Sequence, residues 1–213
     1  MNTLPGLFIS HGSPMLAIEA GQVGPALERI RFNLPKPEAI VVLSAHWEDD
    51  ALEVSTAVRP KTWHDFRGFP EELYKIQYPA AGEPVLAEEI ISLLQQAGFD
   101  AHANAMRPRD HGVWMPLLHM YPEADIPVIQ LSLPRFYTAK QLYDMGQALA
   151  VLRERQVLLI GSGSITHNLA ELSWSDDADV PEWASEFRNT VALSLVHSSF
   201  SMGALGMDIY RFD

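Results

Sequence analysis

The chain has 213 residues, 47% of them apolar, a formal net charge of −12 and no cysteine. That length and apolar content suit one folded domain with a substantial core. The negative charge excludes a nucleic-acid surface and docking on anionic membranes, and the missing cysteines exclude disulfides, thiolate metal sites and cysteine nucleophiles.

No apolar run reaches the roughly 18 residues of a membrane span. The first residues also lack the basic-then-apolar order of a secretory leader. A reducing cytoplasm fits this composition.

Taken in chain order, Leu7-Phe8-Ile9 predicts a short buried strand, broken by Ser10-His11-Gly12-Ser13-Pro14. Val23 to Ile30 predicts a helix that Leu34-Pro-Lys-Pro37 ends. Ala39 to Leu43 predicts a second strand running into Ser44-Ala-His46-Trp47. Leu52 to Thr56 alternates like a half-exposed strand. Trp63 to Pro70 (WHDFRGFP) is a loop dense in aromatic residues. Pro84 to Ala97 is amphipathic, with Leu86, Ile90, Leu93 and Leu94 on one face and Gly98 as its stop.

Phe99 to Ala103 predicts an edge strand. Arg107-Pro-Arg-Asp110-His111-Gly112 follows, then a short helix over Val113 to Met120 and a strand over Pro127 to Ser132. Ala139 to Arg155 predicts one long helix, with Leu142, Met145, Leu149 and Leu152 along one side. A strand over Val157 to Ile160 then enters Gly161-Ser-Gly-Ser-Ile-Thr-His167-Asn168. Pro181 to Leu195 is helical in pattern, and Ser201 to Phe212 reads as a final strand or extended tail. Alternating strands and helices imply an α/β fold of three layers, with a mostly parallel or mixed central sheet and helices on both faces.

Three strands thus end in small-residue turns that carry His11, His46 and His167. Strand ends of open α/β sheets are where ligands bind. Imidazoles delivered there from adjacent strands can share one divalent metal. The competing reading is that each histidine only caps a strand or hydrogen-bonds in the core.

Asp110 beside His111 suggests a carboxylate that orients the ring or raises its pKa for acid–base work; the competing reading is a loop ion pair with Arg107 or Arg109. His64, beside Asp65, is a candidate for a pocket wall but reads more simply as a surface loop residue. His102 and His119 stand in no chemical pattern, and His197 is ambiguous. The Gly161–Thr166 turn lacks the last glycine of a dinucleotide fingerprint and the lysine of a phosphate loop. Ile165 stands where a nucleophile elbow needs glycine. Ser13, Ser44 and Ser164 carry no mark of a nucleophile.

SHGSP, SAHW, WHDFRGFP, YPAAGEP, DHGVWMPL and GSGSITHNL, in that order, make the chain resemble the class III extradiol ring-cleavage dioxygenases, and within them the 4,5-DOPA extradiol branch. The resemblance runs from about Leu7 to Trp183 and resumes at His197-Ser-Ser-Phe-Ser-Met-Gly-Ala-Leu.

It implies that His11 and His46 are metal ligands. It implies that His167 lies at the metal, as a ligand in some members and an acid–base group in others, and that His111 faces the bound diol. The catalytic imidazoles are then His111 and His167, and the metal set is His11, His46 and His167. The implied cofactor is one divalent metal, Zn²⁺ or Fe²⁺, with iron required for dioxygenase chemistry. The implied partners are a small catechol-type diol and O₂, with no nucleic acid and no membrane; the pattern is compatible with a homo-oligomer.

The resemblance also implies a single catalytic domain over 1–213 from which an active-site segment is missing between about 190 and 197. In the family that segment carries a further histidine in an H-P-x-x-E-H-like stretch. Either the deletion is real and impairs the site, or a segment is left out of this sequence; the lack of turn chemistry at Val196 favours the second. A zinc-dependent hydrolase, or an inactive metal-binding homologue if the deletion is real, is the alternative expectation.

Overall fold

The apolar runs marked as strands enter one sheet. In the computed structural model, β1 (Gly6–Ser10), β2 (Ala39–Asp49), β3 (Leu52–Ser55), β4 (Ala101–Asn104), β5 (Val128–Pro134) and β6 (Val157–Gly163) lie in the order β1-β6-β2-β5-β3-β4. The structure describes residues 3–171, 173 and 178–197; the tail expected over 201–212 lies outside them. β1, β6, β2 and β5 are parallel, β3 runs antiparallel to β5, and β4 follows β3. The sheet is therefore mixed, a parallel block with two reversed strands at one edge, and β4 is the edge strand the sequence predicts.

Helices cover both faces. α2 (Pro84–Gln96) and α4 (Ala139–Leu149) pack together, and α2 reaches β3 and β4. Their Leu86, Ile90, Leu94, Met145 and Leu149 join Val41, Leu52, Ile129 and Leu131 of the sheet in one hydrophobic core. The two-residue strand period turns Ile40 and Val42 to the opposite face, where both are buried. On that face α3 (His111–Met120) packs on β2 and on α1 (Val23–Phe32).

Four expectations are corrected in detail. β2 does not stop at Leu43 but continues to Asp49, with a register irregularity between Leu43 and Glu48. The small residues Ser44 and Ala45 absorb that irregularity while Ser44 still pairs with Ser162. β3 is more buried than its alternation suggests, because it lies between β5 and β4. α3 begins at His111, ahead of the predicted Val113. The helix expected over 139–155 is α-helical only to Leu149; residues Ala150–Arg155 tighten into a 3₁₀ turn that closes at Gln156, with φ of 59°. Apolar spacing does not separate these two helix types, and 3₁₀ turns are frequent at helix ends.

The chain divides into two compact units, one ending at Gly163 and one beginning at Ser164. The sheet and α1–α4 belong to the first. In the second, a 3₁₀ turn covers Leu169–Glu171, and α5 (Glu182–His197) runs unbroken across the stretch from 190 to 197. Trp183 Nε1 donates to Glu171 Oε2 at 2.8 Å. No helix among the described residues is long and apolar enough to cross a membrane.

Candidate metal centre

The order β1-β6-β2 sets three parallel carboxyl ends side by side, and α3 starts above them. His11 follows β1 directly and extends its ladder, donating from its backbone N–H to Gly163 O at 2.8 Å. His46 lies on β2 within the register irregularity. His111 opens α3.

These three bring their rings together. One ring nitrogen of each lies within 4.8 Å of the others. His11 Nε2 and His46 Nε2 are 3.0 Å apart, and the ring centroids of His46 and His111 are 4.0 Å apart. His11 and His111 are buried, and His46 is half-buried.

Hydrogen bonds assign the tautomers. Ser162 Oγ donates to Gly112 O at 2.5 Å. Its one proton is spent there, so at 2.9 Å it accepts from His11 Nδ1–H. Asp65 Oδ1 accepts from the ring Nδ1–H of His111 at 2.9 Å and from its backbone N–H at 2.9 Å. Asp65 Oδ2 lies 3.6 Å from His46 Nδ1. Each Nδ1 therefore faces an oxygen, and each Nε2 is the nitrogen turned to the shared point.

Burial pushes the Asp65 carboxyl up, but the hydrogen bond and charge of His111 outweigh it and hold the group below the ordinary carboxylate range. Two imidazole lone pairs 3.0 Å apart repel unless a proton or cation lies between them. Three clustered imidazoles, two of them with Nδ1 hydrogen-bonded to outer oxygens, are a donor set suited to one divalent metal.

Gly112 makes the convergence sterically feasible. A Cβ there would overlap Ser44 Oγ and come within 3.0 Å of His46 Cδ2 and 3.1 Å of His11 Cε1. Beneath it, fully buried Asp110 accepts from Ser44 Oγ at 2.6 Å, from Gln130 Nε2 and from Arg107 Nη2 at 3.3 Å. Arg107 also donates to His46 O at 2.8 Å, and its guanidinium lies 4.9 Å and 4.8 Å from the ring centres of Trp47 and Trp63.

The carboxylate that orients His111 is thus not its neighbour Asp110, as adjacency suggests. Asp110 takes the ion pair with Arg107, while the orienting group is Asp65, 46 positions away in sequence. The signal for Asp65 was its place in a long aromatic loop, where functional side chains concentrate.

That loop forms a wall. Phe66 stands edge-on to the His111 ring at 5.6 Å and packs with Tyr74 and Trp114. Trp114 Nε1 anchors the loop by donating to Trp63 O at 2.9 Å. His64 is half-buried, pairs with Ile76 O at 3.0 Å and meets the Trp114 ring, so it is not a surface residue.

His167 lies in the second unit, exposed, between Thr166, whose carbonyl accepts from Ser164 Oγ at 2.6 Å, and Asn168, which caps the 3₁₀ turn. His119 pairs with Leu16 O at 2.8 Å and His102 is exposed beside Asp100, so both have structural contacts only. His197 closes α5.

Residues 5–202 match the family model described as the catalytic LigB subunit of aromatic ring-opening dioxygenase. The chain is 40% identical over 192 residues to the 4,5-DOPA dioxygenase extradiol of Escherichia coli K12, covering 90% of this chain and 70% of that protein. It is 44% identical over 197 residues to the protein of the same name from Beta vulgaris, covering 91% and 73%. The crystal structure of uncharacterized protein JW3007 from Escherichia coli K12 superposes with a TM-score of 0.75 at 30% identity, over 97% of this chain and 87% of that one. The family is metal-dependent, and the clustered imidazoles can hold such an ion. The chain belongs to the LigB family of extradiol ring-cleavage dioxygenases, as its six ordered motifs lead one to expect.

Proposed function

We propose that this protein opens the ring of a catechol-type, DOPA-like diol with O₂, using one divalent metal held by His11 and His46 and joined by His167, with His111 and His167 as catalytic imidazoles. The observation that carries the reading is the convergence of the His11 and His46 Nε2 atoms, with a third imidazole, His111, beside them at the carboxyl ends of parallel strands. When bound, iron(II) supplies both the redox capacity for O₂ and the Lewis acidity that lowers a hydroxyl pKa, whereas redox-inert zinc supplies only the acidity.

The chain's own residues do the rest. Ser162 holds the His11 ring and Asp65 the His111 ring, each through Nδ1, which turns their Nε2 atoms inward. His111, buried with its Nδ1–H on Asp65, takes on Nε2 the proton of a diol hydroxyl brought to the cluster. Asp65 stabilises the imidazolium that results, because its carboxylate already accepts the Nδ1–H. The same proton is then available from His111 for return to oxygen as the ring opens, and His167 serves as the second acid–base group. Phe66, backed by Tyr74 and by fully buried Trp114, presents an aromatic ring beside His111 that suits a flat substrate.

The test is direct. The protein is loaded with iron(II) anaerobically, mixed with L-DOPA or catechol, then exposed to O₂. The expected result is a yellow ring-opened product with matching oxygen uptake. Neither colour nor uptake removes the proposal.

A further inference from the structure

We infer that Asp110 is the positioning residue of His46: a buried carboxylate that, through Ser44 and Arg107, fixes both backbone groups of that histidine. The inference rests on the metal reading of His46 above and extends it to a carboxylate that holds a peptide, not a ring.

The course of β2 creates the need. Its pairing with β6 ends at Ser44, and its register against β5 shifts between Leu43 and Glu48. Ala45, His46 and Trp47 therefore lie where the ladder is interrupted. Side chains hold the main chain there. The His46 N–H donates to Ser44 Oγ at 3.2 Å, and Ser44 Oγ donates its own proton to Asp110 Oδ1 at 2.6 Å. The His46 carbonyl accepts from Arg107 Nη2 at 2.8 Å, and the same Nη2 donates to Asp110 Oδ2 at 3.3 Å. Both routes end on one carboxylate.

Asp110 is committed to this network. It is the N-cap residue of α3, where an aspartate ordinarily caps the helix with its side chain, yet its carboxylate makes no cap bond. It is fully buried, and so is Ser44; buried Gln130 also donates to it. A buried charge needs such donors, and charge-assisted bonds are short and strong. The Arg107 guanidinium also lies over the Trp47 ring, 4.9 Å from its centre, so it grips the residue after His46 as well.

Three variants cut the network at different bonds. Ser44→Ala removes the acceptor of the His46 N–H. Arg107→Lys keeps the charge but loses the planar fork that reaches two oxygens. Asp110→Asn sets an NH₂ against donors that now meet a carboxylate.

In metal-free protein, amide hydrogen exchange at His46 is expected to quicken about tenfold in S44A, while Val41 and Val42, in the paired part of β2, exchange as in the wild type. The ¹³C shift of the His46 carbonyl is expected to move upfield in R107K and D110N. Zn²⁺ affinity, measured by chelator competition, is expected to fall about tenfold in each variant. Exchange at His46 that is unchanged in S44A, or that quickens equally along β2 as a merely structural role requires, overturns the inference. So does an unchanged His46 carbonyl shift in R107K, which decides the point even if D110N does not fold, or in folded D110N. Wild-type Zn²⁺ affinity in all the folded variants overturns it too. A wild type that binds no Zn²⁺ refutes the metal reading instead, and the exchange rates and carbon shifts still decide the role of Asp110.

Discussion

A methyl group on Gly112 would overlap Ser44 Oγ and press on His46 and His11 together. The expected result of Gly112→Ala is a loss of about 1–3 kcal/mol of stability from overpacking. Zn²⁺ affinity should fall more steeply than stability, because the displaced groups are two candidate ligands and the serine beside them. Urea unfolding and chelator competition on the same preparation separate the two effects, and wild-type affinity in the variant would contradict the packing argument.

The residue scale also shows what a sequence can disclose. His11 and His46 were legible because each follows an apolar run long enough to be a strand, and the sheet order makes those strands close neighbours. Asp65 was not legible, because its partners are 19 and 46 positions away and its value comes from a loop folding over α3. Adjacency pointed to Asp110 instead. That residue faces Ser44, Gln130 and Arg107, groups drawn from β2, β5 and the loop before α3.

At the scale of elements, α2 shows where pattern reading succeeds. Its Leu86, Ile90 and Leu94 follow helical spacing and all enter the core, and Gly98 takes φ of 90° just past its end, a conformation that favours glycine. Ile90 is fully buried on the face of the sheet away from α3. Ile90→Ala should cost about 2–5 kcal/mol in denaturant unfolding, while Zn²⁺ affinity of the folded variant stays that of the wild type. A change in affinity would mean that the two faces are coupled in a way the packing does not support. α4 marks the limit of the pattern. Met145, Leu149 and Leu152 keep one apolar stripe through the change from α-helix to 3₁₀ turn, since the stripe reports burial and not the hydrogen-bond pitch.

At the scale of the whole molecule, the alternation of strands and helices disclosed three layers, but not that β3 and β4 would reverse direction. Only Val54 pairs with β5 in the antiparallel sense, and no residue type in that short contact marks strand direction. Fold-wide stability has an alkaline limit written in buried phenols. Burial raises Tyr78 and Tyr121, the latter to about 12, and Tyr78 Oη donates to Tyr121 O at 2.9 Å. Folded phenols that keep their protons above the unfolded value near 10 add stability that is complete below pH 10 and lost as pH rises through about 12. Ultraviolet titration should therefore show these two tyrosines ionising only together with loss of the folded circular-dichroism signal. Ionisation of both with the fold intact would contradict the assigned burial.

The central claim is that His11 and His46, distant in sequence, hold one metal ion between them. The most direct measurement is Zn²⁺ stoichiometry and affinity of the chelator-treated protein, compared with His11→Ala and His46→Ala. The account predicts one ion per chain in the wild type and, in each folded variant, a loss larger than the roughly 10–100-fold that an outer partner costs. Binding left undiminished by both substitutions would contradict it.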